Sequence, residues 1–183
     1  MVGSIERLAA VAALSLSAAA CASAPPANYG RYADYGRNSG ARIENPGQHL
    51  ECVPYARARA HIPVYGDAWT WWAKTDGRYA HSSDPGPGAV MVLDGYAGPR
   101  RAHLAVVRAV ISGREIRVDH ANWLDEGNIH LDDPVMDVSP ENDWSQVRVY
   151  NLSTRAWGGH VYQVRGFIGP GPGTDATRVA SDE

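Results

Sequence analysis

One cysteine in the middle of the chain has the position of a nucleophile. Cys52 begins a segment, residues 52–61, whose alanines favour a helix and whose Pro54 is tolerated only in a first helical turn. The free backbone amides at a helix start lower the pKa of a thiol there. The sequence therefore predicts that Cys52 is either an activated nucleophile, which would need a histidine base, or an inert buried thiol.

The clearest hairpin of the sequence supplies that histidine. Residues 103–110 and 115–123 are predicted strands, joined by a short turn. A two-residue turn puts His103 opposite Asn122, with His120 on the same face at one end of an apolar stripe. His103 would then take the thiol proton and later protonate the leaving amine. Asn122 or His120 would bind His103 and fix its tautomer.

This grouping depends on the register of the hairpin. Placing the turn at Ser112-Gly113 pairs Val107 with Val118 and Ala109 with Ile116, which are favourable apolar pairs. A three-residue turn would instead put His103 on the face of Asp119. The two-residue turn is preferred, and Asp119 is a candidate third catalytic residue only in the other register.

The composition excludes several classes of protein. A chain of 183 residues is long enough for one domain with tails, and 44% hydrophobic residues suffice for a core. The net charge of -3 argues against a nucleic-acid binder, which is normally basic. Two cysteines exclude a disulfide scaffold and a zinc-finger array. Predicted helices precede predicted strands, which indicates an α+β fold.

The first residues have the character of an export signal. An apolar run over about residues 8–20 follows Arg7 and is too short to span a bilayer. Ala18-Ala19-Ala20-Cys21 resembles a bacterial lipobox, which predicts lipidation of Cys21 after cleavage. An ordinary A-x-A cleavage nearby and an uncleaved segment are the alternatives.

Composition also divides the chain into segments. Residues 1–21 are the predicted signal peptide, of the lipoprotein type. Residues 22–46, rich in glycine, proline, asparagine and tyrosine, are a predicted flexible tether. Residues 47–168 form the predicted catalytic domain, and residues 169–183 a predicted disordered tail.

Five short motifs follow one another along the chain, over about residues 47–151. They are Glu51-Cys52-Val53-Pro54-Tyr55-Ala56-Arg57, Gly66-Asp67-Ala68-Trp69, Pro87-Gly88-Ala89-Val90-Met91-Val92, His103-Leu104-Ala105-Val106-Val107 and His120-Ala121-Asn122-Trp123. Each motif is weak alone, but five in this order at compatible spacings are specific. Together they resemble the CHAP domain, the cysteine- and histidine-dependent amidohydrolase/peptidase family of the papain-like superfamily.

The resemblance implies a papain-like α+β fold, with N-terminal helices packed on an antiparallel β-sheet. It implies that Cys52 is the nucleophile and His103 the base, with no cofactor. For the third catalytic residue Asn122 is the first choice and His120 the second, because His120 stands where the family often has an acid. Glu51 stands where the family often has Gln, and its charge would oppose thiolate formation.

The resemblance also implies a substrate, the amide bonds of peptidoglycan. The protein would be an N-acetylmuramoyl-L-alanine amidase or a peptide-bridge endopeptidase of the periplasm or cell envelope. Its membrane contact would be the lipid on Cys21, and neither a nucleic-acid partner nor a particular protein activator is predicted. The alternatives are a hydrolase of a non-murein amide or peptide, and an inactive domain that binds cell wall or a partner protein.

The aromatic and acidic residues allow two further expectations. Trp69, Trp72 and Trp123 are candidates for the wall of a substrate groove, with the core as the alternative place for each. No metal site is predicted. The acidic pairs Asp125-Glu126 and Asp132-Asp133 lack the spacing of a calcium-binding loop and are expected to be solvated.

Overall fold

The computed structural model describes residues 40–124 and 127–170 of the chain. The predicted signal peptide, the predicted lipidation site at Cys21 and most of the predicted tether and tail lie outside these residues. Within the described part, no helix combines the length and the apolar character needed to cross a bilayer. The first strand, Arg42–Glu44, lies within the predicted tether and pairs with a later strand of the fold.

Among the described residues, two short α-helices precede most of the strands. Helix α1 spans Cys52–Arg59, as the sequence predicts, and α2 spans Trp71–Thr75 directly after a 3-10 turn, Ala68–Thr70. Strands account for 40% of the structure and helices for 12%, so the fold is mostly β. The strands are β1 Arg42–Glu44, β2 His81–Ser82, β3 Val90–Asp94, β4 Ala102–Ser112, β5 Glu115–Ala121, β6 Ile129–Asp137, β7 Gln146–Asn151, β8 Ala156–Trp157 and β9 Tyr162–Ile168.

Six of the strands close into an antiparallel barrel. They follow the order β6-β5-β4-β3-β9-β7, and β7 pairs back with β6, where Val149 lies opposite Val135. The predicted papain-like α+β architecture, N-terminal helices packed on an antiparallel β-sheet, is therefore wrong. The helices are too short to form a layer of their own, and pairing between strands far apart in the sequence makes the sheet curl and close.

Strands β3 and β4 are buried on both faces because each face meets a different core. Ala105 and Val107 point into the barrel, where they pack with residues of all six barrel strands. Leu104 and Val106 point outward and pack against Ala56 of α1. This arrangement holds the start of α1 on the outside of β4, beside the residues with which β4 begins.

The β4–β5 hairpin has the predicted register at its polar end and a different turn at its tip. Val107 pairs with Val118, as predicted. The turn, however, is Gly113-Arg114 and not Ser112-Gly113, since Ser112 pairs with Glu115.

The predicted pair of Ala109 with Ile116 is also wrong, because Ala109 lies opposite Arg117. Two register shifts along the hairpin absorb the difference. At the end of the hairpin far from the turn, the face that points into the barrel therefore still carries His103 and His120, as the predicted register requires.

Candidate active site

Cys52 and His103 border the same cavity, which has a volume of about 470 Å³. Cys52 is the first residue of α1, and Glu51 before it is extended, with φ -84° and ψ 155°. Pro54 lies in the first turn of the helix, where its missing N–H leaves no helical hydrogen bond unmade. The chain thus starts α1 with the Cys52 side chain at the cavity wall.

The Cys52 thiol is held in its neutral form. Burial raises the pKa of Cys52 above its ordinary value, and the neighbouring Glu51 carboxylate adds to the rise, although a backbone hydrogen bond at Leu104 opposes it. The lowered pKa expected from the helix start is therefore wrong in direction. Eight residues make a short helix, and the loss of hydration outweighs its amides.

Replacing Glu51 with Gln is expected to make Cys52 more reactive. The change removes the negative charge that disfavours the thiolate, while an amide can still bond to the neighbouring side chains. At pH 7 the rate at which iodoacetamide labels the Cys52 peptide should rise roughly two- to fivefold. Glu44→Gln, a change at an exposed carboxylate of β1, is the control. An unchanged or slower rate in the Glu51 variant would show that this charge does not act on the thiol.

His103 points into the barrel and is bonded to a second histidine. Its Nε2 lies 2.9 Å from Nδ1 of His120, and both rings are buried. This contact leaves Nδ1 of His103 as the ring nitrogen available to a proton from the cavity. Burial holds the pKa of His103 well below its ordinary value, and charge on the neighbouring His120 and His130 would lower it further. Both His103 and the Cys52 thiol are therefore uncharged near neutral pH.

Aromatic rings enclose the two histidines. The ring centroid of Trp123 lies 4.8 Å from that of His103 and 5.4 Å from that of His120. Tyr96, which also lines the cavity, lies 5.4 Å from His103 and 5.0 Å from Trp123. These contacts fix the orientation of the imidazoles and keep their inner end out of water.

Behind His120 lies a buried carboxylate. Nε2 of His120 is 3.0 Å from Oδ2 of Asp133, and Nδ1 of His130 is 3.4 Å from the same oxygen. All three side chains are buried. His103, His120 and Asp133 thus form a continuous chain of contacts that runs from the cavity into the barrel.

A bulge in β6 brings His130 and Asp133 to the same face. His120 pairs with His130 and Val118 with Asp133, so β6 has one more residue between these pairs than β5. Asp132 lies in this stretch with φ +54°, a left-handed conformation that Asp tolerates better than most residues. Neither residue is predicted for the site from the sequence, because strict alternation would put positions three apart on opposite faces.

Asn122 lines the cavity without contacting His103. Its Nδ2 donates to Oε2 of Glu51 over 2.9 Å, and its Oδ1 accepts from the backbone N of Gly127 over 3.0 Å. Its φ of +57° turns the chain out of β5. Glu51 also bonds to His49, and both hydrogen bonds lower the pKa of Glu51, which keeps it ionised. Of the two candidates to orient His103, the structure thus brings His120 into contact with it.

One family model matches this part of the chain. Residues 43–122 match the CHAP domain, a segment that includes Cys52, His103, His120 and Asn122. This match assigns residues 43–122 to the CHAP domain family. CHAP domains are amidohydrolases and peptidases associated with peptidoglycan, and the match supports a hydrolase of this class. Comparisons with curated proteins and with solved structures gave no match.

The three tryptophans predicted for a groove lie in different parts of the structure. Trp69 lies on the cavity wall, is 44% exposed, and its Nε1 lies 3.3 Å from Oδ2 of Asp67. Trp72 packs on His81 at a ring distance of 3.9 Å, beside β9. Trp123 is buried against the catalytic candidates. Of the three, Trp69 has the position to touch a substrate.

Asp119 lies on the outside of the barrel. Its Oδ2 is 3.4 Å from Nη2 of Arg59 and 3.3 Å from Nη1 of Arg108, and the carboxylate is buried beneath α1. It therefore joins α1 to β4 and β5 on the side opposite His120, as the preferred register predicts.

The described residues contain a set of side chains with the chemistry to hold a metal ion. The ligand atoms of His120, His130 and Asp133 all lie within 4.8 Å of one another. Asp132 and Asp133, expected in a solvated loop, are in β6, and Asp133 is buried. The other acidic pair, Asp125-Glu126, lies outside the described residues.

Proposed function

We propose that the protein is an exported cysteine hydrolase that cleaves amide bonds of peptidoglycan. It would act as an N-acetylmuramoyl-L-alanine amidase or as a peptide-bridge endopeptidase. The observation that carries this proposal is the shared cavity of Cys52 and His103, with His103 bonded on its far side to His120. The CHAP domain match supports the class of reaction.

Cys52 and His103 are both uncharged before the reaction, so the thiol proton moves only when the sulfur attacks the substrate. As Sγ of Cys52 attacks the substrate carbonyl, Nδ1 of His103 takes the thiol proton, and an acyl-enzyme forms when the amine leaves with that proton. Water, deprotonated by the same nitrogen, then releases the acid and restores the thiol. The backbone amide of Cys52 is the candidate donor to the carbonyl oxygen in both tetrahedral intermediates.

The lining of the cavity suits a substrate that carries both positive and negative charges. It includes two arginines, Arg100 and Arg101, and two acidic residues, Glu51 and Asp67. Peptidoglycan stem peptides carry both carboxylates and amines close to their amide bonds. The exposed ring of Trp69 adds an apolar surface against which a peptide or sugar can pack.

Export belongs to this proposal because the substrate lies outside the cytoplasm. The apolar N-terminal run and the lipobox-like Ala18-Ala19-Ala20-Cys21 support a lipid-anchored form in the cell envelope. The intact mass of the mature protein tests this part. A mass that includes diacylglycerol on Cys21 supports anchoring, and the mass of a form that still begins at Met1 would contradict export through this signal.

The reaction is tested by digesting isolated peptidoglycan with the purified protein. Mass spectrometry of the products should show either stem peptides with a free N-terminal alanine and glycan strands with free lactyl carboxyls, from an amidase, or cut stem or bridge peptides, from an endopeptidase. Protein inactivated by heat is the control for spontaneous release. The same products in both samples would contradict the proposal, and release from a non-murein peptide alone would redirect it to another amide.

A further inference from the structure

The carboxylate of Asp133 lies at the inner end of the series of hydrogen bonds that begins with His103 at the cavity. One of its oxygens, Oδ2, faces Nε2 of His120 at 3.0 Å and Nδ1 of His130 at 3.4 Å. Asp133 is completely buried, so water does not compete for this oxygen. Both Asp133 and His130 lie outside residues 43–122, the segment that matches the family model. A role for them is thus not part of that match.

A buried carboxylate at this place determines where the imidazole protons lie. A carboxylate only accepts hydrogen bonds, so Nε2 of His120 must carry a proton to bond to it. Neutral His120 then has a bare Nδ1, which accepts from Nε2–H of His103 over 2.9 Å. Neutral His103 with its proton on Nε2 has a bare Nδ1. That nitrogen is the one that has to accept the proton of Cys52.

We propose that Asp133 is a positioning residue that sets the tautomers of His120 and His103 and so makes His103 a base towards the cavity. The inference deepens the proposed function and rests on it. His130 lies on the other side of Asp133, with its Nδ1 3.4 Å from Oδ2. The negative charge also favours the imidazolium that His103 becomes while the acyl-enzyme forms.

His120, His130 and Asp133 could together hold a metal ion. The hydrogen bonds that join His103, His120 and Asp133 favour a proton on Nε2 of His120 instead. A metal on Nε2 of His120 would leave the proton of that ring on Nδ1. His120 would then donate to Nε2 of His103, and the proton of neutral His103 would move to Nδ1. His103 could no longer accept the thiol proton, which is opposite to the role that the shared cavity supports.

The tautomers can be read without any substrate. In the wild-type protein labelled with ¹⁵N-histidine, NMR at neutral pH should show His103 and His120 both protonated on Nε2. Either ring protonated on Nδ1 would overturn the proposal. Because this measurement needs no turnover, absence of peptidoglycan cleavage would refute the proposed function and leave the tautomer result readable.

Asp133→Asn gives the kinetic test, with Asp137→Asn as a matched control. Both aspartates are buried on β6, but Asp137 bonds to Ser139 and lies outside the active site. The Asp133 variant should lose about 10²-fold in kcat, with less than about a threefold change in KM and a new Nδ1-protonated population of His120. The control, compared at equal folded fraction, should keep kcat within about threefold of wild type.

Two results would refute the role of Asp133 in an active enzyme. Equal kcat in the Asp133 and Asp137 variants would show that the carboxylate is only structural. Binding of one Co²⁺ with tetrahedral d–d absorption that is lost in His130→Ala would show that the cluster holds a metal. The wild-type tautomers decide the matter if Asp133→Asn does not fold.

Discussion

Replacing His103 with Ala is expected to lower kcat/KM for release of peptidoglycan fragments by about 10³-fold. The thiol of Cys52 is uncharged at rest, so attack on the substrate requires a base at the moment of reaction. Nδ1 of His103 is the nitrogen that the geometry offers for it. Fragment release should be measured at several substrate concentrations to give kcat and KM separately.

Two further variants separate the loss of the base from the loss of packing that His103→Ala also causes. His103→Gln occupies more of the space between Tyr96 and Trp123 and should be as inactive as His103→Ala, although better folded. His160→Ala, which removes an exposed histidine, should remain active. Activity in His103→Gln within tenfold of wild type would show that another group takes the thiol proton.

Burial of His103 also determines how the activity of the wild type depends on pH. Because the pKa of His103 is lowered, the imidazole stays neutral on the acid side of 6.5, its ordinary value. Wild-type kcat/KM should therefore persist below pH 6.5 and fall only when the pH passes through the lowered pKa. The raised pKa of Cys52 keeps the thiol neutral on the alkaline side as far as its ordinary value of 9.0.

The second large effect is expected at His120, with Asn122 as the comparison. His120→Ala removes the group bonded to Nε2 of His103 and should lower kcat roughly 10²-fold. Asn122→Gly should cost less than about tenfold, because Asn122 bonds to Glu51 and Gly127 and not to His103. Glycine is the suitable replacement, since φ at this position is +57°. Both variants are assayed for fragment release in parallel.

The variant that loses more kcat, His120→Ala or Asn122→Gly, identifies the third catalytic residue. Thermal unfolding of each variant shows how much of the loss is due to instability. A larger loss of kcat in Asn122→Gly than in His120→Ala, at equal folded fraction, would return the orienting role to Asn122, the first choice from the sequence.

The placement of His103 and His120 on one face and the start of α1 at Cys52 could be predicted from short-range sequence patterns. Alternation along residues 103–107 and 116–120 puts His103 and His120 on the apolar face, and the observed contact between them agrees. The start of α1 at Cys52 follows from its alanines and from Pro54. Each of these features depends on residues that are close in the sequence or joined by one hairpin.

The fold and the inner end of the site depend on contacts that no local pattern shows. Closure of the barrel requires β7 to pair with both β6 and β9, which are separated from one another by many residues. The bulge at Asp132 moves His130 and Asp133 to one face and breaks the alternation on which sequence reasoning relies. The raised pKa of Cys52 depends on burial, which becomes known only once α1 is packed on β4.

The sulfur of Cys52 forms the bond to the substrate carbonyl in the proposed reaction, and all other predicted steps depend on it. The most direct test is fragment release from isolated peptidoglycan by wild type and by Cys52→Ala, with folding compared by thermal unfolding. We predict release by the wild type and only the background of heat-inactivated protein for the variant. A folded Cys52→Ala protein that releases the same fragments at the wild-type rate would show that Cys52 is not the nucleophile.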